Sequence, residues 1–142
     1  MKKIICLVVV GLMIAGVAIA ANKIVITQKN LPSLKGTWEG ILTFGAMEMG
    51  TSPAKLEILN DSVPVKARLT VVKVPDQLAA MFATTGGLKV LEADDGTITS
   101  QGTLFWTGPQ KNFVEVSLIG EKKISVWYYY MGMRGDATLK KK

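Results

Sequence analysis

From residue 37 onward apolar and polar residues alternate with a period of two, and a chain with that rhythm can bury only one face of each segment. Trp38, Gly40, Leu42 and Phe44 alternate with Thr37, Glu39, Ile41 and Thr43. Leu56 and Ile58 oppose Lys55 and Glu57; Val65, Ala67, Leu69 and Val71 oppose Lys66, Arg68 and Thr70; Val114, Val116 and Leu118 oppose Glu115 and Ser117. Each run reads as a strand with one wet side. Turn formers separate the runs, at Gly50 to Pro53, Asn60 to Pro64, Asp94-Asp95-Gly96, Gly108-Pro109, Gly120-Glu121-Lys122 and Gly132 to Gly135. Asp95-Gly96 and Gly120-Glu121 are the expected hairpin turns. Eight or nine short strands result. There is no strand–helix alternation, so the expected class is all-β, a sandwich or a barrel.

One segment departs from the pattern. Pro75 and Asp76 open a stretch of good helix formers, with Leu78, Met81 and Phe82 at helical spacing, and Thr84-Thr85-Gly86-Gly87 stops it. This predicts two turns of helix near residues 75–84, lying across one end of the sheet with those three side chains inward. They either plug the core or form a lid over a cavity. Met47 and Met49, in the loop after the first strand, read the same two ways, because a flexible thioether suits an irregular core gap and an adaptable rim alike.

The first twenty residues have a different character. Met1-Lys2-Lys3 is a positive n-region, Ile4 to Gly16 an apolar h-region, and Ala18-Ile19-Ala20 a small-x-small cleavage site, so residues 1–20 are expected to be a cleaved signal peptide. The charge-free run Ile4 to Ala20 has 17 residues. As a helix it would reach roughly 25 Å, short of the ~30 Å bilayer core. Cys6 lies inside the apolar run, and the position where a lipoprotein would carry its lipid holds Ala21. Residues 21–35 form an N-terminal segment in which Ile24-Val25-Ile26 is an expected short strand, broken by Leu31-Pro32-Ser33. Residues 36–142 carry the domain. A mature chain without disulfides points to a bacterial protein of the periplasm or the cell exterior.

Cleavage removes the only cysteine, and the chain has no histidine. Thiol and imidazole nucleophiles, the commonest general base and the usual zinc ligands are all missing, so the expectation is a protein without enzymatic activity, metal or cofactor. Asp94 and Asp95 are adjacent but placed at an expected hairpin tip, while Glu39 and Glu115 fall on wet faces. Without Lys2 and Lys3 the basic count falls from 17 to 15 against 11 acids, a net charge of +4. These charges are scattered and form no stripe, which argues against nucleic-acid binding. Lys140-Lys141-Lys142 reads as a solvated tail that can also touch anionic headgroups at a membrane face.

Gly36-Thr37-Trp38-Glu39-Gly40-Ile41-Leu42 resembles the Gly-x-Trp opening of lipocalins and avidins. Met131-Gly132-Met133 with Gly135 and Ala137-Thr138-Leu139-Lys140 is similar to the last hairpin of small exported lipocalin-like domains. The resemblance implies a single antiparallel up-and-down barrel of about eight strands, closed at one end by Trp38, with the last strand pairing with the first. The Thr-Asp-Tyr turn of lipocalins and the biotin-site pattern of avidins are both missing, so biotin is not carried over. Arg68 and Arg134 are the arginines that could stack on Trp38.

A barrel of that size is filled by its own side chains or holds one small ligand. The expected inward set runs from Trp38, Gly40, Leu42 and Phe44 through Leu56, Ile58, Val65, Ala67, Leu69, Val71 and Val90 to Val114, Val116, Leu118, Val126, Tyr128, Tyr130 and Leu139. It contains no charge, so a ligand would be apolar and lipid-like. Gly40 and Ala67 are expected to leave space. Candidate ligand-binding residues are Trp38, Phe44, Met47, Met49, Met81, Phe82, Tyr128 and Tyr130. Outside, Trp127 and Tyr129 share a face with Phe113 and with either Leu104 and Trp106 or Phe105; Trp106, Phe113, Trp127 and Tyr129 are candidate interface residues. Arg134-Gly135-Asp136 spells an adhesion tripeptide, but the same residues serve a hairpin, with Gly135 in the turn. Two functions follow: an exported carrier of a small apolar ligand, or a solid barrel that meets a second copy or an envelope protein through its aromatic face.

Overall fold

Eight strands run up and down in sequence order: β1 (Gly36–Phe44), β2 (Thr51–Ile58), β3 (Val65–Val71), β4 (Lys89–Ile98), β5 (Leu104–Thr107), β6 (Phe113–Gly120), β7 (Lys123–Tyr130) and β8 (Met133–Lys141). They belong to a computed structural model that describes residues 22–45, 49–82, 87–108, 112–130 and 132–142, the side chains of residues 81 and 82 excluded. Each strand is antiparallel to the next, and β8 returns to β1, from Trp38 opposite Lys141 to Phe44 opposite Gly135. The ring is a closed eight-stranded barrel: the alternation leaves a sandwich or a barrel open, and the barrel is the one the resemblance implies. We call the end where β1 finishes the upper end.

Inward side chains fill the barrel as the period-two reading predicts for β1, β2, β3, β6, β7 and β8. The middle of β4 departs from it. Val65 opposes Gly96, yet Ala67 opposes Ala93, so Asp94 and Asp95 together face Lys66. This β-bulge reverses which residues point inward, because one extra residue shifts the side-chain parity of everything beyond it. Upstream of the bulge Leu91 and Ala93 pack on the core, and Val90, expected inside, is 44% exposed.

Asp95-Gly96 is therefore not a hairpin turn. The strand continues to Ile98, and the chain reverses at Thr99 to Thr103, where Thr99 N–H donates to Thr103 O at 2.9 Å and Gly102 N–H to Thr99 O at 3.0 Å. Gly96 has a different task. The Trp106 indole N–H crosses it to donate to Val65 O at 2.8 Å, and a Cβ on Gly96 would lie 2.3 Å from Trp106 Nε1 and 2.6 Å from Val65 O. Gly135 is similar: it lies inside β8 opposite Tyr128, whose ring covers it so closely that a Cβ would overlap the ring. The Arg134-Gly135-Asp136 tripeptide is thus strand, not hairpin tip, which argues against the adhesion reading.

The lower end is sealed by the N-terminal segment. Ile24–Ile26 makes one bridge, Ile24 N–H to Leu118 O at 2.8 Å, in place of the expected strand. A 3-10 turn (Gln28–Asn30) and a single helical turn α1 (Leu31–Leu34) then cross the opening. Pro32 fits the first turn of α1, where its missing N–H leaves no bond unmade. Ile26, Leu31 and Leu34 are buried against Trp38, whose indole N–H donates to Leu34 O at 2.8 Å. At the upper end, the β3–β4 connection carries α2 (Asp76–Phe82), within the expected 75–84. Its Leu78 and the preceding Val74 are buried.

Gly96→Ala is expected to destabilise the barrel by about 1–3 kcal/mol through forced displacement of Trp106, measured as a lower urea midpoint without a change in slope.

Candidate functional site

The barrel wall is incomplete at one place. β5 has four residues and pairs with β4 only at Thr97–Phe105 and Ile98–Leu104, whereas β6 accompanies β5 along its whole length. Gly108 N–H folds back to Asn112 O at 2.8 Å, and Pro109, next in sequence, has no N–H to continue a ladder. Above Gly96, β4 therefore has β3 on one side and no ladder partner on the other among the described residues. One side-chain bridge spans the gap, Thr107 Oγ1 donating to Asp95 Oδ2 at 2.9 Å.

Behind the gap is a cavity of about 140 Å³ in the upper half of the barrel. Leu42, Leu56, Ala67, Leu69, Val71, Leu91, Ala93, Trp106, Val114, Tyr128 and Tyr130 form its walls. Glu92, Thr107, Gly108, Asn112, Phe113 and Tyr129 surround its lateral mouth. The walls offer carbon, because their polar atoms are already engaged. The Trp106 N–H is held by Val65, and the Tyr128 hydroxyl donates to Thr43 O at 3.2 Å. Among the described residues no buried side-chain nitrogen or oxygen lacks a hydrogen-bond partner.

Of the expected ligand-binding residues, Tyr128 and Tyr130 line this cavity. Phe44 is buried beside it, meeting Tyr128 edge-on with ring centroids 6.1 Å apart. Trp38 does not reach it, since it belongs to the plug of the lower end. Lys141, and neither arginine, lies over the Trp38 ring, with Nζ 5.6 Å from the centroid; Arg68 pairs with Glu92 at 2.8 Å, and Arg134 covers Trp127 at 4.5 Å. Met49 is half-buried near the upper rim, in a shallow groove with Gly45, Trp127 and Met133. Met47 and the side chains of Met81 and Phe82 lie outside what is described. Gly40 leaves no room, because a Cβ there would meet Thr138 O at 2.3 Å. The space is made by Ala67 and Ala93, which face each other across β3 and β4. Leu91 and Ala93 escaped the sequence reading because the bulge lies between them and Gly96.

On the outer face Phe105, Phe113 and Tyr129 stack in a row, with centroids 5.5 and 5.7 Å apart. Trp127 is 46% exposed. Trp106 does not join them: it is buried and points inward, and Phe105 takes the outward place. The N-terminal segment makes its backbone bonds to Leu118 and Gly102, and Phe105, Phe113 and Tyr129 are each half-buried. Phe113 and Tyr129 thus belong both to the outer row and to the cavity mouth.

Ser52-Pro53-Ala54-Lys55 has the Ser-x-x-Lys spacing, but residues three apart on a strand face opposite ways. Ser52 is buried and donates to Pro53 O at 2.9 Å, while Lys55 pairs with Glu57 at 3.5 Å. Among the described residues no three His, Cys, Asp or Glu gather as a metal site, and no helix is long and apolar enough to cross a membrane. Burial, and after it the charge of Asp136, push the Tyr128 phenol well above its ordinary value of 10.0.

No protein-family model matches this chain, and no curated protein matches it. Among solved structures it is similar to a redesigned beta barrel, with a TM-score of 0.50 and 16% identity, over 79% of this chain and 94% of that one. At that identity the likeness shows the barrel fold alone.

With its folded value raised, Tyr128 contributes stability that is intact below pH 10.0 and is lost as the pH climbs beyond it, because the unfolded chain then releases the proton first. Tyr128→Phe should flatten this alkaline decline, seen in denaturation midpoints collected on either side of that value.

Proposed function

We propose that this chain is an exported, lipocalin-like barrel without enzymatic activity, which binds a small apolar molecule through the gap between β4 and β5. The carrying observation is the carbon-lined cavity of about 140 Å³ with a lateral mouth. Its volume limits the occupant. Pockets for drug-sized ligands span roughly 300–1,000 Å³, whereas a dry cavity of about 150 Å³ takes benzene or xenon. One aromatic ring or a short unbranched alkyl tail fits; a whole isoprenoid or a long acyl chain does not. Thr107, Asn112 and Glu92 at the mouth suit a ligand whose single polar end stays at the rim. Export to the periplasm or the cell exterior is supported by the n-region, h-region and cleavage site of residues 1–20.

A second reading has one observation in its favour. The stacked row Phe105, Phe113 and Tyr129 runs into the cavity mouth, so a partner protein lying on the row would find a hole for one apolar side chain. Self-association that rises with concentration, and falls with Trp127→Ser, would favour this reading.

The ligand reading is tested on protein purified from its own host, by native mass spectrometry and solvent extraction, and by titration with benzene and a series of short linear alcohols. Ala67→Leu, which fills the cavity, should keep the fold and weaken binding at least tenfold. No extracted molecule and no uptake of any probe would overturn it.

A further inference from the structure

The lower end of the barrel is a basic surface. Lys122 sits in the β6–β7 turn and Lys123 opens β7; Lys140 and Lys141 end β8, Lys142 follows, and Lys23 precedes the Ile24–Leu118 bridge. The register sets Lys123 directly opposite Lys140, and both are exposed. Like charges facing one another across paired strands destabilise a sheet. Among the described residues, the acids nearby do not neutralise them. Glu39, on the other flank of Lys140, is held by Lys142 at 2.9 Å, and Glu121 at the turn makes no ion pair. The fold thus keeps Lys23, Lys122, Lys123 and Lys140 without carboxylate partners at one end.

Two further features share that end. Ile24 and Val25, next to Lys23, are large apolar side chains left 40% and 59% exposed. Their segment runs antiparallel to β6, from the rim towards the barrel, so everything before Asn22 is attached at the lysine end. What precedes it in sequence is the charge-free run Ile4 to Ala20, the type of segment that inserts into or is processed at a membrane. Cations around an apolar spot match a bilayer surface of anionic headgroups, which attracts each lysine and accepts interfacial apolar groups.

We propose that the lower end docks on an anionic lipid bilayer, with Lys23, Lys122, Lys123 and Lys140 on headgroup phosphates and Ile24 and Val25 at the acyl boundary. The barrel then stands on the membrane, and the cavity mouth, which opens sideways in the upper half of the wall, is held clear of it. This is independent of what the cavity binds.

Co-sedimentation of the chain beginning at Ala21, which contains the whole closed barrel, with vesicles tests it. Binding is expected to phosphatidylcholine mixed with phosphatidylglycerol, not to phosphatidylcholine alone, and to be released by salt. Lys123→Gln/Lys140→Gln should weaken it roughly fivefold per lysine removed. The same variant should unfold no earlier than the parent, since it relieves an opposed pair. Lys73→Gln/Lys89→Gln removes equal charge from the upper end and should leave binding unchanged. Absence of binding to the anionic vesicles, equal binding to both kinds, or equal losses from the two double variants would overturn the proposal.

Discussion

Every strand in this barrel must find a ladder partner on both sides, and that demand organises the molecule. An isolated sheet would leave two edges of unpaired N–H and C=O groups. The pairing of β8 with β1 abolishes both, and Gly40 lets the β8 backbone approach closely at Thr138, where a Cβ would overlap the carbonyl oxygen. Once the ring is closed, the upper half of β4 is the stretch of described wall without a second partner. The opening is a property of β5, which is too short to follow β4 upward.

The two ends of the barrel have divided roles. The lower end is plugged by Ile26, Leu31, Leu34 and Trp38, and the indole N–H of Trp38 secures the plug by satisfying a carbonyl of α1. The upper half is looser, with two alanines facing each other where larger residues would fill the space. Tyr128 links the halves of this argument: its ring covers Gly135, its edge meets Phe44, its hydroxyl is used by Thr43, and what it shows to the cavity is carbon. An apolar interior follows from satisfied donors as much as from aliphatic side chains.

Much of this was legible in the residues. The alternation located the strands, the turn formers bounded most of them, and the segment at Pro75 and Asp76 announced its helix. The failures cluster around Asp94 to Gly96. Asp-Gly next to an acidic residue has the composition of a hairpin turn, but here the glycine is required by the Trp106 indole and the two aspartates form a bulge. That single extra residue turned Val90 outward and brought Leu91 and Ala93 to the cavity. Trp106 had two possible faces in the sequence, because β5 is too short for its own pattern to choose. Nor could spacing foresee that Lys141, from the far end of the chain, would take the place beside Trp38.

The all-β class, the place of most strands and the apolar character of the interior were determined by the sequence alone, since side-chain direction along an extended chain alternates locally and turn residues act locally. The tertiary structure decided three other things: the parity beyond the bulge, the volume left between opposing side chains, and the side of the barrel that stays open. Each depends on what a neighbouring strand places opposite, and a residue's identity does not carry that information. The lysines show both levels together. Their number is written in the chain, but only the closing of β8 between β1 and β7 gathers them onto one end.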